Sequence, residues 1–159
     1  MEVSWEPELE ELRRREELAR RMGGEERVER QHASGRLTVR ERIERLFDEG
    51  TFHETGALAG RGTYGDDGEL TGFVPANTIV GQGRIDGRRA VVEGDDFTIR
   101  GGAADAAIWE KTVYAERMAH DLRLPLVRLV DGTGGGGSVK SLEDMGFSYC
   151  RRCPASTSS

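Results

Sequence analysis

The order of elements after residue 76 constrains the fold more than any other feature of this chain. Asn77 to Ile85 reads as a strand, Asp86-Gly87 as a two-residue hairpin turn, and Arg88 to Asp95 as the returning strand. A double-glycine loop follows at Gly101-Gly102. An amphipathic helix then runs from about Ala103 to Leu122, with Ala104, Ile108, Ala115, Met118, Ala119 and Leu122 on or near its buried side. Leu126 to Val130 is a short apolar run suited to a buried strand. It opens through Asp131 into Gly132-Thr133-Gly134-Gly135-Gly136-Gly137-Ser138. A helix between the strands at 88–95 and 126–130 makes them parallel with a right-handed crossover. Both glycine loops then leave the carboxyl ends of parallel strands and should lie close together, at the edge where open α/β sheets bind ligands. The fold class expected is α/β.

Upstream the chain is different. The first 50 residues carry about half of its charged side chains and read as a charged helical arm over 1–34, with Trp5, Leu9, Leu12 and Ala19 near one face. Ser4 is a candidate cap, and Gly23-Gly24 breaks the helix. A second helix is expected at about 39–48. Thr38 and Glu41 have capping-box spacing, Val39, Ile43, Leu46 and Phe47 form the apolar stripe, and Gly50 supplies the stop. Residues 55–75, with glycines at 56, 60, 62, 65 and 68, read as loop with short strands. The last ten residues, CRRCPASTSS, have no periodicity and no apolar anchor, and are expected to be a disordered tail over 150–159.

Composition excludes several functions. With 23 basic and 29 acidic residues the net charge is −6, which argues against a general nucleic-acid binder. No apolar run approaches the roughly 18 residues of a membrane helix, and no secretory h-region is present. Two cysteines among 159 residues point to a reducing, cytoplasmic setting.

Gly132, Gly134 and Gly137 match GxGxxG literally, but four adjacent glycines produce such matches easily, and the ribose-binding acid expected about 20 residues on has no place to fall. A P-loop fails because Gly137 is followed by Ser138-Val139-Lys140. Cys150 and Cys153 form a single pair that does not complete a four-ligand zinc site, so no metal is expected. Asp95 and Asp96 point to opposite sheet faces and are not a paired dyad. His32, His53 and His120 are scattered, and no Ser-His-Asp arrangement follows. What remains is two backbone donor loops, Gly101-Gly102-Ala103 at the start of the long helix and Gly134 to Gly137 beside it. Glycine lets a ligand approach the main chain, and two N–H groups aimed at one oxygen make an oxyanion hole.

Three stretches, GRLTVRERIERLFDEGTFHE (35–54), VGQGRIDGRRAVVEGDDFTIRGGAADAAIWEK (80–111) and LPLVRLVDGTGGGGSV (124–139), together resemble one family over about residues 30–149. It is the carboxyltransferase (beta) subunit of biotin-dependent acyl-CoA carboxylases of the propionyl-CoA and methylcrotonyl-CoA kind. The resemblance implies a crotonase-like fold of stacked ββα units, with 35–149 a partial acyl-CoA-binding domain. It implies transfer of a carboxyl group from carboxybiotin, held on a biotin carboxylase or biotin carboxyl carrier subunit, to the α-carbon of an acyl-CoA through an oxyanion-stabilised enolate. It also implies a homo-oligomer. Carried over by position, Gly101, Gly102 and Ala103 match the first oxyanion turn. Gly134 and Gly135 are the choice for the second, and Arg100 and Gly136 are placed near the substrate. Family members run for several hundred residues, so the expectation is a truncated or frameshifted carboxyltransferase that is inactive alone. The alternative is a non-catalytic CoA-binding or assembly module docking on a full-length relative. A related decarboxylase using the same CoA site is a third reading.

Overall fold

The computed structural model describes residues 4–103 and 108–132. Three helices come first: α1 (Glu6–Arg20), α2 (Glu25–Ala33) and α3 (Val39–Leu46). Strands β1 (His53–Thr55), β2 (Gly60–Tyr64), β3 (Leu70–Pro75), β4 (Thr78–Ile85) and β5 (Arg88–Asp95) follow, then a short 3-10 turn at Arg100–Gly102, helix α4 (Trp109–Leu122) and strand β6 (Leu126–Leu129). The main sheet has the order β1-β4-β5-β6. β1, β4 and β5 pair antiparallel, and β6 joins β5 in parallel with Val91 opposite Leu126. β2 and β3 form a separate antiparallel ribbon.

The hairpin forms as its sequence predicts. Asp86 and Gly87 both have positive φ, 49° and 76°, as the tight turn between twisted strands requires. Strand alternation sorts the core onto two faces. Ile79, Ala90 and Val92 share one face and pack with Val39, Ile43 and Phe47 of the α3 segment. Val80 and Val91 turn the other way and pack under Ala115, Met118 and Ala119 of α4. α3 is held at its start by the reciprocal capping box. Thr38 Oγ1 accepts from the Glu41 N–H at 3.3 Å, and the Glu41 carboxylate accepts from the Thr38 N–H at 2.7 Å. Such a cap contributes about 1 kcal/mol.

Three expectations need correction. The long helix begins at Trp109, not Ala103. Ala103 and Ile108 are both extended, with ψ of 139° and 99°, and the Ala103 carbonyl accepts from the Asn77 side chain. Leu122, expected on the buried side, is 43% exposed, because the left-handed Arg123 ends the helix there, while Lys111 is buried instead. Of the proposed α1 stripe only Ala19 is buried. Trp5, Leu9 and Leu12 are exposed. The ribbon is tied to α1 by Arg15, which donates to the Tyr64 hydroxyl at 2.9 Å and lies over its ring. Among the described residues no helix is long and apolar enough to cross a membrane.

Candidate functional site

The site is built at the carboxyl ends of β5 and β6. Arg100, Gly101 and Gly102 have φ of 50°, 65° and 67°, three successive left-handed residues. Arg100 carries a cost of roughly 1 kcal/mol or more in that region, and strain of this kind clusters at functional sites. Gly102 could not carry a side chain: a Cβ there would lie 2.6 Å from the Asp131 carbonyl oxygen and 3.1 Å from the Gly132 Cα. The first glycine turn and the opening of the second glycine loop are therefore in contact, as the parallel crossover predicts. The amides of Gly102 and Ala103 donate within the turn, to Ile99 O at 3.1 Å and Arg100 O at 3.3 Å. Among the described residues the Gly101 N–H makes no hydrogen bond. Gly134, Gly135 and Gly136, named for the second donor loop, lie outside the described residues.

Buried polar groups hold the turn from beneath. Asn77, 2% exposed, donates from Nδ2 to the Ala103 carbonyl at 2.7 Å, and its own carbonyl accepts from the Asp96 N–H at 2.8 Å. Asn77 Oδ1 is buried without a partner. Asp96 accepts from the Thr98 N–H at 2.9 Å and from its hydroxyl. Burial pushes the Asp96 carboxyl up from the usual range, and the Thr98 bonds oppose that. Asp95, on the other face, accepts from the Asp131 N–H at 3.2 Å. Both aspartates of the pair are thus structural hydrogen-bonding groups, one for each loop.

Asp131 is in turn gripped from the N-terminal helices. Gln31 Nε2 donates to its carboxylate at 3.3 Å, and Arg36 and Arg42 stand 3.6 and 3.8 Å away. The break between α1 and α2 docks on the same region: Gly23 N–H donates to Thr98 Oγ1 at 2.9 Å, and a Cβ at Gly23 would overlap the Thr98 carbonyl at 2.0 Å. Between α2 and the segment after β5 lies a cleft of about 310 Å3, lined by Arg27, Arg30, Gln31, Ser34, Arg36, Phe97, Thr98, Arg100 and Gly101. Arg36 is stacked 4.8 Å over the Phe97 ring.

A second buried cluster lies under the sheet. Arg40 donates to Glu54 at 2.8 Å and Lys111 Nζ is 3.8 Å from the same carboxylate. Burial pushes the Lys111 amine down, offset by Glu54. It links α3, β1 and α4, and the Arg40 charge also acts on the Asp96 carboxyl. The histidines do not gather: His32 bonds Glu41, His120 bonds Asp121, and His53 is exposed on β1. Among the described residues no group of three or more His, Cys, Asp or Glu is placed to hold a metal.

The polar support of the turn was not visible in the sequence. Asn77 reads there as the first residue of a strand, and α2 as part of a solvated arm. The one available signal was the density of arginine at 27, 30 and 36, one helical turn apart and then just beyond the helix.

The glycine turn after β5 thus meets Asp131 and Gly132 at the joined carboxyl ends of two parallel strands, with a helix on each face of the sheet. The chain belongs to the carboxyl transferase domain family, whose pattern matches residues 30–156. The match starts where the sequence resemblance starts and runs past Tyr149. The chain is 33% identical over 156 residues to the propionyl-CoA carboxylase, carboxyltransferase subunit of Haloferax mediterranei, covering 97% of this chain and 30% of that one. It is 38% identical over 115 residues to the biotin-dependent 3-methylcrotonyl-coenzyme A carboxylase beta1 subunit of Mycobacterium tuberculosis, covering 71% and 21%. Its fold matches the transcarboxylase 12S hexamer, solved with methylmalonyl-coenzyme A and methylmalonic acid bound, with a TM-score of 0.70 at 32% identity over 92% of this chain and 29% of that one. The crotonase-like architecture expected from sequence is the observed one. The chain spans less than a third of the length of these relatives.

Proposed function

We propose that the chain is the acyl-CoA-binding part of a carboxyltransferase, which moves a carboxyl group from carboxybiotin to the α-carbon of an acyl-CoA. The observation that supports this most is the contact of Gly102 with Asp131 and Gly132, which joins the two backbone loops at the carboxyl ends of β5 and β6. In this reading the thioester carbonyl oxygen sits between them. Gly101, whose N–H is not used within the turn, provides one donor, with Gly102 and Ala103 shaping the approach. Gly134 and Gly135 provide the second donor, and Arg100 and Gly136 border the substrate. Removing an α-proton places negative charge on that oxygen, and each fixed donor there lowers the barrier by a few kcal/mol. Carboxybiotin, delivered by a biotin carrier subunit in the cytoplasm, supplies the carboxyl group. This chain supplies position and charge stabilisation, in a homo-oligomer with the remaining domains of a carboxyltransferase.

Calorimetric titration of the chain with propionyl-CoA tests the reading. Saturable binding that Gly102→Val abolishes is the expected result. Equal binding by the wild type and the variant would remove the turn from the site.

A further inference from the structure

At the hairpin end of the main sheet, away from the glycine turns, lies a groove of about 380 Å3 lined chiefly by Thr51, His53, Gln82, Arg84 and Arg89. Strand register explains its chemistry. Arg84 is directly opposite Arg89, and Gln82 is opposite His53 on one side and Val91 on the other. Side chains alternate along a strand, so these four polar residues share the face on which Val80 and Val91 pack under α4. Helix α4 covers the apolar part of that face. The part nearest the Asp86-Gly87 turn is left to the polar residues, and both arginines there are exposed.

Like charges directly opposite each other on neighbouring strands destabilise a sheet. Here no acid in the lining offsets them, in a chain whose net charge is −6. Arg84 donates to the Gly87 carbonyl at 2.8 Å, and Arg89 donates to Gln82 Oε1 at 2.8 Å. Each bond sets the direction of a guanidinium and uses only part of its donor set. Among the described residues neither arginine is ion-paired. The acids nearest in sequence lie outside the lining: Asp48 accepts from the Asp86 and Gly87 amides, and Glu49 is exposed. Two guanidinium groups set side by side match carboxylates. A single small anion gains little from exposed charges screened by salt, whereas a segment with successive carboxylates engages both arginines at once. We propose that this groove is a docking surface for an acidic segment of a partner protein, with Arg84 and Arg89 as its anchors and His53 beside them. The surface is at the amino end of β5 and the glycine turn follows its carboxyl end, roughly 20 Å of strand away. Docking there is separate from the acyl-CoA reading and does not depend on it.

The test is fluorescence anisotropy on the full chain with a fluorescein-labelled hexaglutamate peptide. Hexaglutamine and free glutarate are the competing probes. The variants are Arg84→Gln with Arg89→Gln, Arg89→Gln alone, and Arg61→Gln, an exposed arginine of the ribbon, as control. Circular dichroism checks that each is folded, and the single variant carries the comparison if the double one is not. The expected result is saturable hexaglutamate binding at low salt, with a dissociation constant below roughly 1 mM that rises with added salt. Each anchor arginine removed lowers the affinity roughly fivefold, and Arg61→Gln leaves it unchanged. Hexaglutamine and glutarate do not compete. No hexaglutamate binding by the wild type, or an equal loss with Arg61→Gln, overturns the surface. Glutarate competing at the peptide's own concentration shows a small-anion site, and a DNA oligonucleotide displacing the peptide at equal charge shows a general polyanion patch. Either overturns the assignment to an acidic segment. Displacement by propionyl-CoA places the peptide in the acyl-CoA site and overturns the groove.

Discussion

Two regions of this chain are rich in glycine, the ribbon at residues 56–72 and the turn at 101–102, and they use glycine for different reasons. In the ribbon, a Cβ added at Gly62 would meet the ends of the Tyr64 and Leu70 side chains at 3.0 and 3.1 Å, and one at Gly72 would meet nothing closer than 3.8 Å. At Gly60 a Cβ would lie 2.6 Å from the Val74 carbonyl oxygen, but that carbonyl belongs to the ribbon's own partner strand. At Gly102 the neighbour is the Asp131 main chain, fixed by the parallel pairing of β5 and β6 and by the bond that its N–H donates to the Asp95 carboxylate, while Gln31 donates to the Asp131 side chain. The ribbon's backbone is paired only with itself, while the turn's backbone is held by buried side chains. Glycine content alone therefore does not mark a site. A glycine pressed against fixed backbone, above a buried polar support, does.

The largest effect expected from this contrast comes from exchanging a glycine in each region. Gly102→Val should cost about 3 kcal/mol or more, from the backbone overlap and the left-handed φ together, while Gly72→Ala should stay within about 0.5 kcal/mol. Urea denaturation of both reads the difference, and equal costs would break the comparison. Next are the polar supports. Asn77→Ala leaves the half-buried Ala103 carbonyl without its donor and should cost about 1–3 kcal/mol, with weaker acyl-CoA binding. Thr71→Val removes an exposed bond to the Thr63 carbonyl and should cost under about 0.5 kcal/mol. Thermal melts with and without ligand separate the two. A smaller effect tests whether stability and ligand binding can be moved independently. Thr38→Ala removes the α3 cap, which touches neither glycine region, and should lower stability by about 1 kcal/mol with the dissociation constant unchanged.

The smallest is a pH effect at the same cap. His32, the Thr38 amide and the Thr38 hydroxyl hold the Glu41 carboxyl down at about 2 from its ordinary 4.5. A depressed carboxyl stabilises the fold fully above its unfolded value and loses that contribution as pH falls toward the folded one. The destabilisation by Glu41→Ala should accordingly be constant above about pH 5 and shrink between about pH 4.5 and 2. A penalty that did not change across that window would show that the ionised form of Glu41 contributes nothing.

Local signals were legible in the sequence and long-range ones were not. The capping box at Thr38 and Glu41, the Asp86-Gly87 turn and the β5–α4–β6 crossover each depend on residues close together or on a strong period, and all three form. The start of α4 was misread because Ala103 to Ile108 has good helix formers, but the Asn77 side chain captures the Ala103 carbonyl across 26 residues. The arm was read as solvated because α1 and α2 are mostly charged. The contacts that dock them run from Gly23 to Thr98 and from Gln31 to Asp131, and no periodicity reports pairings at that separation. The site followed the same division: its glycines were visible, and the side chains that support them were not.

The bond between Gln31 and Asp131 spans 100 residues. A ribosome adds roughly 5–20 residues each second, so α2 leaves the exit tunnel about 5–20 s before its partner does. During that interval the Gln31 amide has no Asp131 carboxylate to meet. The high charge of the arm keeps that waiting segment hydrated until its partner arrives.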